Sequence, residues 1–329
     1  MSARVSVGAR LHFGFGNLSL AHARLYGGVG VGLAEPRVTC VADPAPEVRC
    51  EAGALADHVA AAVDLLGVEG ATVRVEERFE RHVGLGSGTQ FALAALVAVA
   101  RAHGLAVDPR ARAPALGRGG RSGVGVATFE RGGFVLDAGH PTERFTAAPP
   151  APGDWAVPPV IARHEVPNDW RFLLVTPAAE AGHHGPLEES AMRAVVERAD
   201  PGIADQVATV LLRRLLPAVA TGDLGEFGRA VARLGRLNGA WYADEQGGVY
   251  RPPAGRIVEA VTDCPAVTGA GQSSWGPTVY GVTDAAGADR ARRAGEEALS
   301  ALGREGSVRV VRPRNRGAVV TGAGEGPGA

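Results

Sequence analysis

No lysine occurs among the 329 residues, so all 34 basic side chains are arginines, set against 35 acidic ones. That absence removes whole classes of chemistry. No lysine Schiff base, no lysine-held pyridoxal phosphate, no Walker-A lysine and no lysine general base can exist in this chain. Cationic contacts to a ligand must come from arginine, histidine, a metal or backbone N–H groups. GC-rich codon usage accounts for the absence, and the exclusion holds regardless. Cysteine is scarce too: Cys40, Cys50 and Cys264 are an odd number with no close metal spacing, which points to reduced, structural thiols and a cytoplasmic protein. No apolar run reaches the ~18 residues that span a bilayer, and residues 1–10 carry no apolar leader. A net charge of −1 with no basic block argues against nucleic acid and membrane surfaces as partners.

What is present suffices for a globular fold: 46% of residues are hydrophobic. Residues 3–8 alternate as a strand. A glycine-rich run at 26–33 leads to a second strand near 37–42. A helix is expected at 54–66 and a strand at 71–77. Residues 82–90 read HVGLGSGTQ and precede an Ala-rich apolar segment ending at Gly104. That segment is too long for a strand and too short for a membrane span, so it is a buried helix with a glycine stop; Phe91, Leu93, Leu96 and Val97 are core. A second glycine segment, 117–125 (GRGGRSGVG), precedes a strand ending at His140. Residues 144–169 hold many prolines and read as a linker. Beyond it come a strand at 171–176, helices at 187–198, 203–221, 224–242 and 255–263, strands at 266–269 and 278–282, a helix at 287–302 and a strand at 307–311. The tail from Gly322 reads as frayed. The whole is α+β in two halves, 1–165 and 166–329.

The glycine loop at 84–90 carries the strongest chemical signal. Glycines let the backbone curl so that several N–H groups converge, and the following helix adds a partial positive charge at its N-terminus. Gly84, Gly86, Ser87, Gly88, Thr89 and Gln90 thus form a candidate phosphate or pyrophosphate cradle that needs no lysine. The alternative is a tight turn into a packed helix. The segment is neither a P-loop nor a Rossmann fingerprint.

Gly84-Leu85-Gly86-Ser87-Gly88-Thr89 resembles the P-x-x-x-G-L-G-S-S-A motif of the GHMP kinase superfamily. Ser122-Gly123-Val124-Gly125 followed by Gly132-Gly133 resembles its S-G-x-D … G-G element, and Gly269–Ser274 stands in the place of its third glycine motif. The resemblance implies an N-terminal domain like ribosomal protein S5 domain 2 and a C-terminal ferredoxin-like domain. Two departures stand out. The aspartate of S-G-x-D is Gly125, and the partner lysine is missing, so an alcohol acceptor would lose its base and its charge clamp.

Within the superfamily, Arg10-Leu11-His12-Phe13, Tyr26–Val31, His82–Gln90, Gly117–Gly120 and Gly271–Thr278 resemble the β-ribofuranosylaminobenzene 5′-phosphate synthase family. A related group makes C-nucleoside antibiotics of the formycin and pyrazofurin type. The resemblance implies an enzyme that joins phosphoribosyl pyrophosphate (PRPP) to a ring carbon of an aromatic or heteroaromatic acid, with loss of CO₂ and pyrophosphate. A methanopterin precursor or a C-nucleoside antibiotic precursor would be the product. Mg²⁺ is the implied cofactor and a homodimer the expected assembly. An ATP-dependent GHMP-type small-molecule kinase is the alternative, and a non-catalytic binder a further one.

That chemistry assigns candidate roles. Arg10 and His12 alternate on the first strand as candidate catalytic groups. Arg118, Gly119, Gly120, Arg121 and Ser122 join the cradle, because arginine forks suit phosphate and carboxylate. His183 and His184 are candidate phosphate contacts. Arg24, Tyr26, Gln246, Gln272, Ser273, Ser274 and Trp275 are candidates for the acceptor, and Asp137 for a metal. Asn17, Ser19 and His22 lie in a polar loop with no assigned role, and His140 sits beside the second glycine loop.

Overall fold

The computed structural model describes residues 1–145, 150–178 and 186–322. The first sheet is built on two long strands, β1 (Ala3–Asn17) and β2 (Arg24–Pro44), paired antiparallel along most of their length. The short β3 (Arg49–Cys50) and β4 (Ala71–Glu77) extend the β2 side. β5 (Phe134–Asp137) and β6 (His140–Pro141) also pair with β2, and β7 (Val160–His164) pairs with β5. Helices α1 (Ala56–Leu66), α2 (Ser87–Ala102), the short α3 (Pro109–Arg112) and α4 (Val124–Arg131) belong to this half. Nearly every side chain of α2 is buried, which is why its sequence is apolar all round. As expected, α2 stops where Gly104 turns left-handed, φ 73°.

The second sheet holds β8 (Trp170–Pro177), β9 (Gly269–Gln272), β10 (Val279–Asp284) and β11 (Gly306–Val311). Its antiparallel order β11-β8-β10-β9 is the ferredoxin-like order. Helices α5 (Pro186–Arg198), α6 (Pro201–Val210), α7 (Leu216–Thr221), α8 (Leu224–Gln246) and α9 (Ala254–Thr262) fall between β8 and β9, and α10 (Ala288–Ala301) between β10 and β11. No helix among the described residues is long and apolar enough to cross a membrane. All three cysteines are free, with Cys40 buried and its thiol pushed up to about 12 by burial.

Four expectations change. The glycine-rich run at 26–33 does not merely lead to a strand but forms the first half of β2 itself; a Cβ on Gly30 would lie 2.3 Å from the Leu11 carbonyl, so glycine keeps the strands close. The strand expected at 266–269 lies at Gly269–Gln272, where β10 offers a partner. The linker at 144–169 contains β7, because β5 has a free edge to pair. Finally, the chain crosses back after β11. Leu33 bridges to Pro313, and β12 (Val319–Gly322) pairs with β1, so the end of the second half completes the first sheet. Residues 323–329 lie outside the described part.

The two halves share one core. Phe13 of β1 packs edge-on against Phe227 and Tyr280, with ring centroids 5.9 and 5.1 Å apart, and Trp170 lies 4.7 Å from Phe227. Asn238 of α8 donates to the Phe15 carbonyl (3.0 Å) and accepts from the Phe15 N–H (2.7 Å). It fits only because Gly14, at φ 145°, has no Cβ; one there would sit 2.6 Å from the amide. This pins a bulge in β1 against α8 and sets the direction of His12 and Phe15.

Candidate active site

A cavity of about 370 Å³ opens where the two halves meet, within the range of small-molecule sites. Among the described residues its walls carry five arginines, Arg10, Arg118, Arg121, Arg144 and Arg193, against one carboxylate, Glu189. The imbalance makes the cavity electropositive. Aromatic and apolar faces line the same cavity: Phe15, Tyr26, Phe145, Trp155, Met192 and Trp275. Tyr26 stands 5.6 Å from Phe15, and Trp275 packs on Tyr242 at 4.8 Å, so both rings are braced from behind.

The arginines are placed against the grain of helix electrostatics. A Cβ on Gly86 would lie 3.0 Å from the Arg10 side chain, and one on Gly88 would lie 3.2 Å from Arg118 Nη1. Glycine at both positions lets two cations rest on the first turn of α2. That turn carries the positive end of the helix dipole, no acidic residue and no side-chain cap. Arg10 donates to the Gly84 carbonyl at 2.6 Å, while the buried Nε of Arg118 has no hydrogen-bond partner. Burial, and then Arg81 nearby, lowers the pKa of Arg118. Like charges crowded on a positive helix end are relieved by an anion.

Of the residues expected at the site, Arg10, His12, Tyr26, Thr89, Arg118, Gly119, Gly120, Arg121, Ser122, Ser274 and Trp275 line the cavity, and His140, given no role from sequence, joins them. His12 is neutral: burial, with Arg10 and Arg121 close by, holds its pKa well below 6.5. His140 is also neutral, at about 4, chiefly through burial and then Arg144. Its Nδ1 takes a hydrogen from Arg144 at 2.9 Å, so its Nε2–H donates to the Gly119 carbonyl at 3.2 Å. A histidine thereby ties an arginine to the second glycine loop.

Several expected residues are turned away. Gln90 faces α4, donating to the Gly125 carbonyl at 2.9 Å. Gly84 and Ser273 form a latch between the glycine motifs: Ser273 Oγ donates to the Gly84 carbonyl (2.8 Å) and accepts from the His12 N–H (3.2 Å). Arg24 holds the Ala138 and Gly139 carbonyls at 2.6 and 2.7 Å, not a ligand. Gln246 donates to the Val249 carbonyl, and Gln272 accepts from the Arg251 N–H and donates to the Ser274 carbonyl. Both glutamines border a separate, smaller cavity of about 30 Å³. Ser87 is buried beneath the helix start. His183 and His184 lie outside the described residues.

Asp137 is not placed to hold a metal. Its carboxylate accepts N–H bonds from Gly123 (2.7 Å), Gly139 (2.8 Å) and Gly28, and one from the Ser122 hydroxyl (3.3 Å). Its oxygens are thus already engaged; burial nevertheless raises its pKa to about 6. Among the described residues no three of His, Cys, Asp and Glu stand together as a metal cage. The donor set therefore does not fit a protein-held Mg²⁺, which favours carboxylate and water oxygens.

Sequence reasoning missed Arg144, Phe145, Trp155, Glu189, Met192 and Arg193. The first three fall at or in the segment read as a linker. A signal was there, since tryptophan is out of place in a solvated connection. Trp155 Nε1–H donates to the Arg118 carbonyl at 2.8 Å, and its ring covers Gly120. Arg193 of α5 lies 4.5 Å over the Phe145 ring, a cation–π contact that joins the halves across the cavity mouth. Nothing in the sequence marked α5 as a wall.

Residues 52–133 match the GHMP kinases N terminal domain, and 215–301 match the GHMP kinases C terminal domain. Similar solved structures include homoserine kinase from Cytophaga hutchinsonii, with a TM-score of 0.66 and 16% identity over 97% of each chain. L. major mevalonate kinase has a TM-score of 0.67 and 16% identity, covering 94% of this chain and 95% of that one. Likeness at such identity defines the fold, and the fold is that of the GHMP kinases. The beta-ribofuranosylphenol 5′-phosphate synthase of Methanothermobacter thermautotrophicus is 31% identical, covering 95% of this chain and 97% of its own. The protein of that name from Archaeoglobus fulgidus is 33% identical, covering 95% of this chain and 98% of its own. The chain belongs to the beta-ribofuranosylphenol 5′-phosphate synthase family.

Proposed function

We propose that this protein is a decarboxylating C-ribosyltransferase. It joins the ribosyl C1 of PRPP to the carboxylate-bearing carbon of an aromatic acid, releasing pyrophosphate and CO₂. The observation that carries the reading is the meeting of five arginines and an uncapped helix N-terminus with aromatic walls in one cavity. A polyanionic donor suits the first and a flat acid the second. As the C1–O bond to pyrophosphate breaks, charge gathers on the leaving oxygens, where Arg118, Arg121 and the start of α2 receive it. The ring carbon attacks C1, the carboxylate departs as CO₂, and its bonding pair restores the aromatic ring. No proton is taken from the attacking carbon, so Gly125 in place of a kinase aspartate is tolerable. Thr89 packs into that space, 3.1 Å from where a Cβ would stand.

The relatives' name denotes a phenol product, and we place this chain's acceptor among acids with a ring hydroxyl or amino group or a heteroaromatic ring nitrogen. Mg²⁺ enters with the pyrophosphate of the substrate, and three free thiols are compatible with a cytoplasmic setting. The test incubates the pure protein with PRPP, Mg²⁺ and 4-hydroxybenzoate, 4-aminobenzoate or a pyrazole dicarboxylate. CO₂ and pyrophosphate should appear together, one for one. Consumption of ATP with a phosphorylated alcohol and no pyrophosphate would instead establish a kinase.

A further inference from the structure

Three residues from three segments form a relay in the cavity wall, with His12 and Asp137 buried and Ser122 half-buried. His12 Nε2 lies 3.2 Å from Ser122 Oγ, and Ser122 Oγ lies 3.3 Å from Asp137 Oδ2. Ser122 Oγ also accepts the Val124 N–H at 3.2 Å. The serine has one proton to give and two neighbours to give it to. An ionised carboxylate is the stronger acceptor, since hydrogen bonds to a charged group are about twice as strong as neutral ones. Ser122 therefore donates to Asp137, and the remaining contact requires His12 Nε2 to donate to Ser122. A neutral imidazole has one N–H. With that hydrogen at Nε2, Nδ1 is the acceptor nitrogen of a ring that lines the cavity. Phe15 braces the ring edge-on at 4.9 Å.

We propose that Ser122 and Asp137 are positioning residues that hold His12 as the Nε2–H tautomer and thereby present Nδ1 to the substrate as an acceptor. Gly28 belongs to the same device: a Cβ there would come within 2.0 Å of Ser122 Oγ and 2.8 Å of Asp137 Oδ2. The use made of Nδ1 rests on the functional reading above. A hydroxyl or amino group on the acceptor ring donates to it, and as the ring carbon attacks C1 the proton passes to Nδ1. Its bonding pair flows into the ring and sustains the attack. When CO₂ leaves, its pair returns to the ring and the heteroatom takes the proton back from the imidazolium. The proton cycles, and the net products are unchanged.

The test reads the tautomer directly. In ¹⁵N-histidine-labelled full-length protein above pH 7, the His12 ring signals, assigned by loss in His12→Gln, should show a single Nε2–H form. Ser122→Ala should convert them to a mixture or to the Nδ1–H form. It should also lower kcat about tenfold on a hydroxyl- or amino-bearing acid while KM for PRPP stays within about twofold. Gly28→Ala, which leaves all three side chains present but displaced, should do the same. An Nδ1–H form in the wild type, or an unchanged tautomer in a folded Ser122→Ala protein, overturns the proposal. An Nε2–H form that Ser122→Ala disturbs, in a protein that turns over no aromatic acid, upholds the positioning and overturns the functional reading instead.

Discussion

The two glycine loops of the first half look equivalent as strings of residues and differ sharply in place. Residues 84–90 carry the motif that resembles a kinase phosphate loop, yet only Thr89 of that segment reaches the cavity wall. Residues 117–125 contribute Gly117, Arg118, Gly119, Gly120, Arg121, Ser122 and Gly125. The first loop is a junction: it interlocks with the late glycine motif, where a Cβ on Gly276 would lie 2.2 Å from the Gly84 nitrogen. It supplies a helix dipole but few side chains. The second supplies two of the cavity's arginines, Arg118 and Arg121. In a chain without lysine, this loop presents arginine forks to the cavity.

That contrast can be broken by substitution. The largest effect is expected in the second loop. Arg118→Ala or Arg121→Ala should each lower kcat/KM for PRPP about a hundredfold, the scale of losing ~3 kcal/mol of charge-assisted contact. Steady-state kinetics with the donor varied would check it, and equal rates would return the cradle to residues 84–90. Next comes Gly84→Ala. Its Cβ would stand 2.2 Å from the Ser273 carbonyl oxygen at φ 91°, so a loss of about 2–3 kcal/mol in denaturant unfolding is expected. Thr89→Val keeps the shape and removes the hydroxyl, and should cost about tenfold in turnover, a contact of ~1.4 kcal/mol. Gln272→Leu should leave the acceptor KM within about twofold and show only in a melting curve, with about 1–2 kcal/mol lost.

The smallest effect is a pH dependence that reads the burial of three imidazoles beside arginines. Unfolded imidazoles take a proton near 6.5, whereas folded His58 and His140 resist until about 4, and His12 is lowered too. Burial is the main cause for each, and Arg118, Arg144 and Arg10 follow it. In that window the unfolded chain binds more protons, so this stability is full above pH 6.5 and drains as pH falls towards 4. Asp137 opposes it, because its folded pKa near 6 exceeds its ordinary 3.8 and the protonated fold gains below 6. Three rings outweigh one carboxyl, so Tm should fall modestly between pH 6.5 and 4. A flat or rising Tm would mean that these rings are not held neutral.

Local pattern made much of the fold legible. The alternation of 71–77, the all-apolar face of α2 with its glycine stop and the helices of the second half appear where the residues place them, within a few positions. The strand at Gly269–Gln272 was displaced because β10 selects its partner by register, not by the apolarity of 266–269. At the site, alternation correctly set Arg10 and His12 on one wall. Membership of a motif or polar segment misled for Gln90, Ser273, Gln272 and Arg24, because a polar side chain there can serve a ligand or a neighbouring backbone with equal fitness. Distant chain decides between them. Ser273 meets Gly84 across 189 positions, and Phe15 meets Asn238 across 223.

By itself, then, the sequence determined the absence of lysine, the glycine and arginine types at each motif and the apolar periods that fix two α+β halves. These are properties of single residues and short windows. Only the tertiary structure decided which motif residues face the cavity. It also decided that Arg144, Phe145, Trp155 and helix α5 wall it, that Asp137 serves Ser122 rather than a metal, and that the last strand returns to the first sheet. Those outcomes depend on buried polar groups finding partners, and the partners come from segments far apart in the chain.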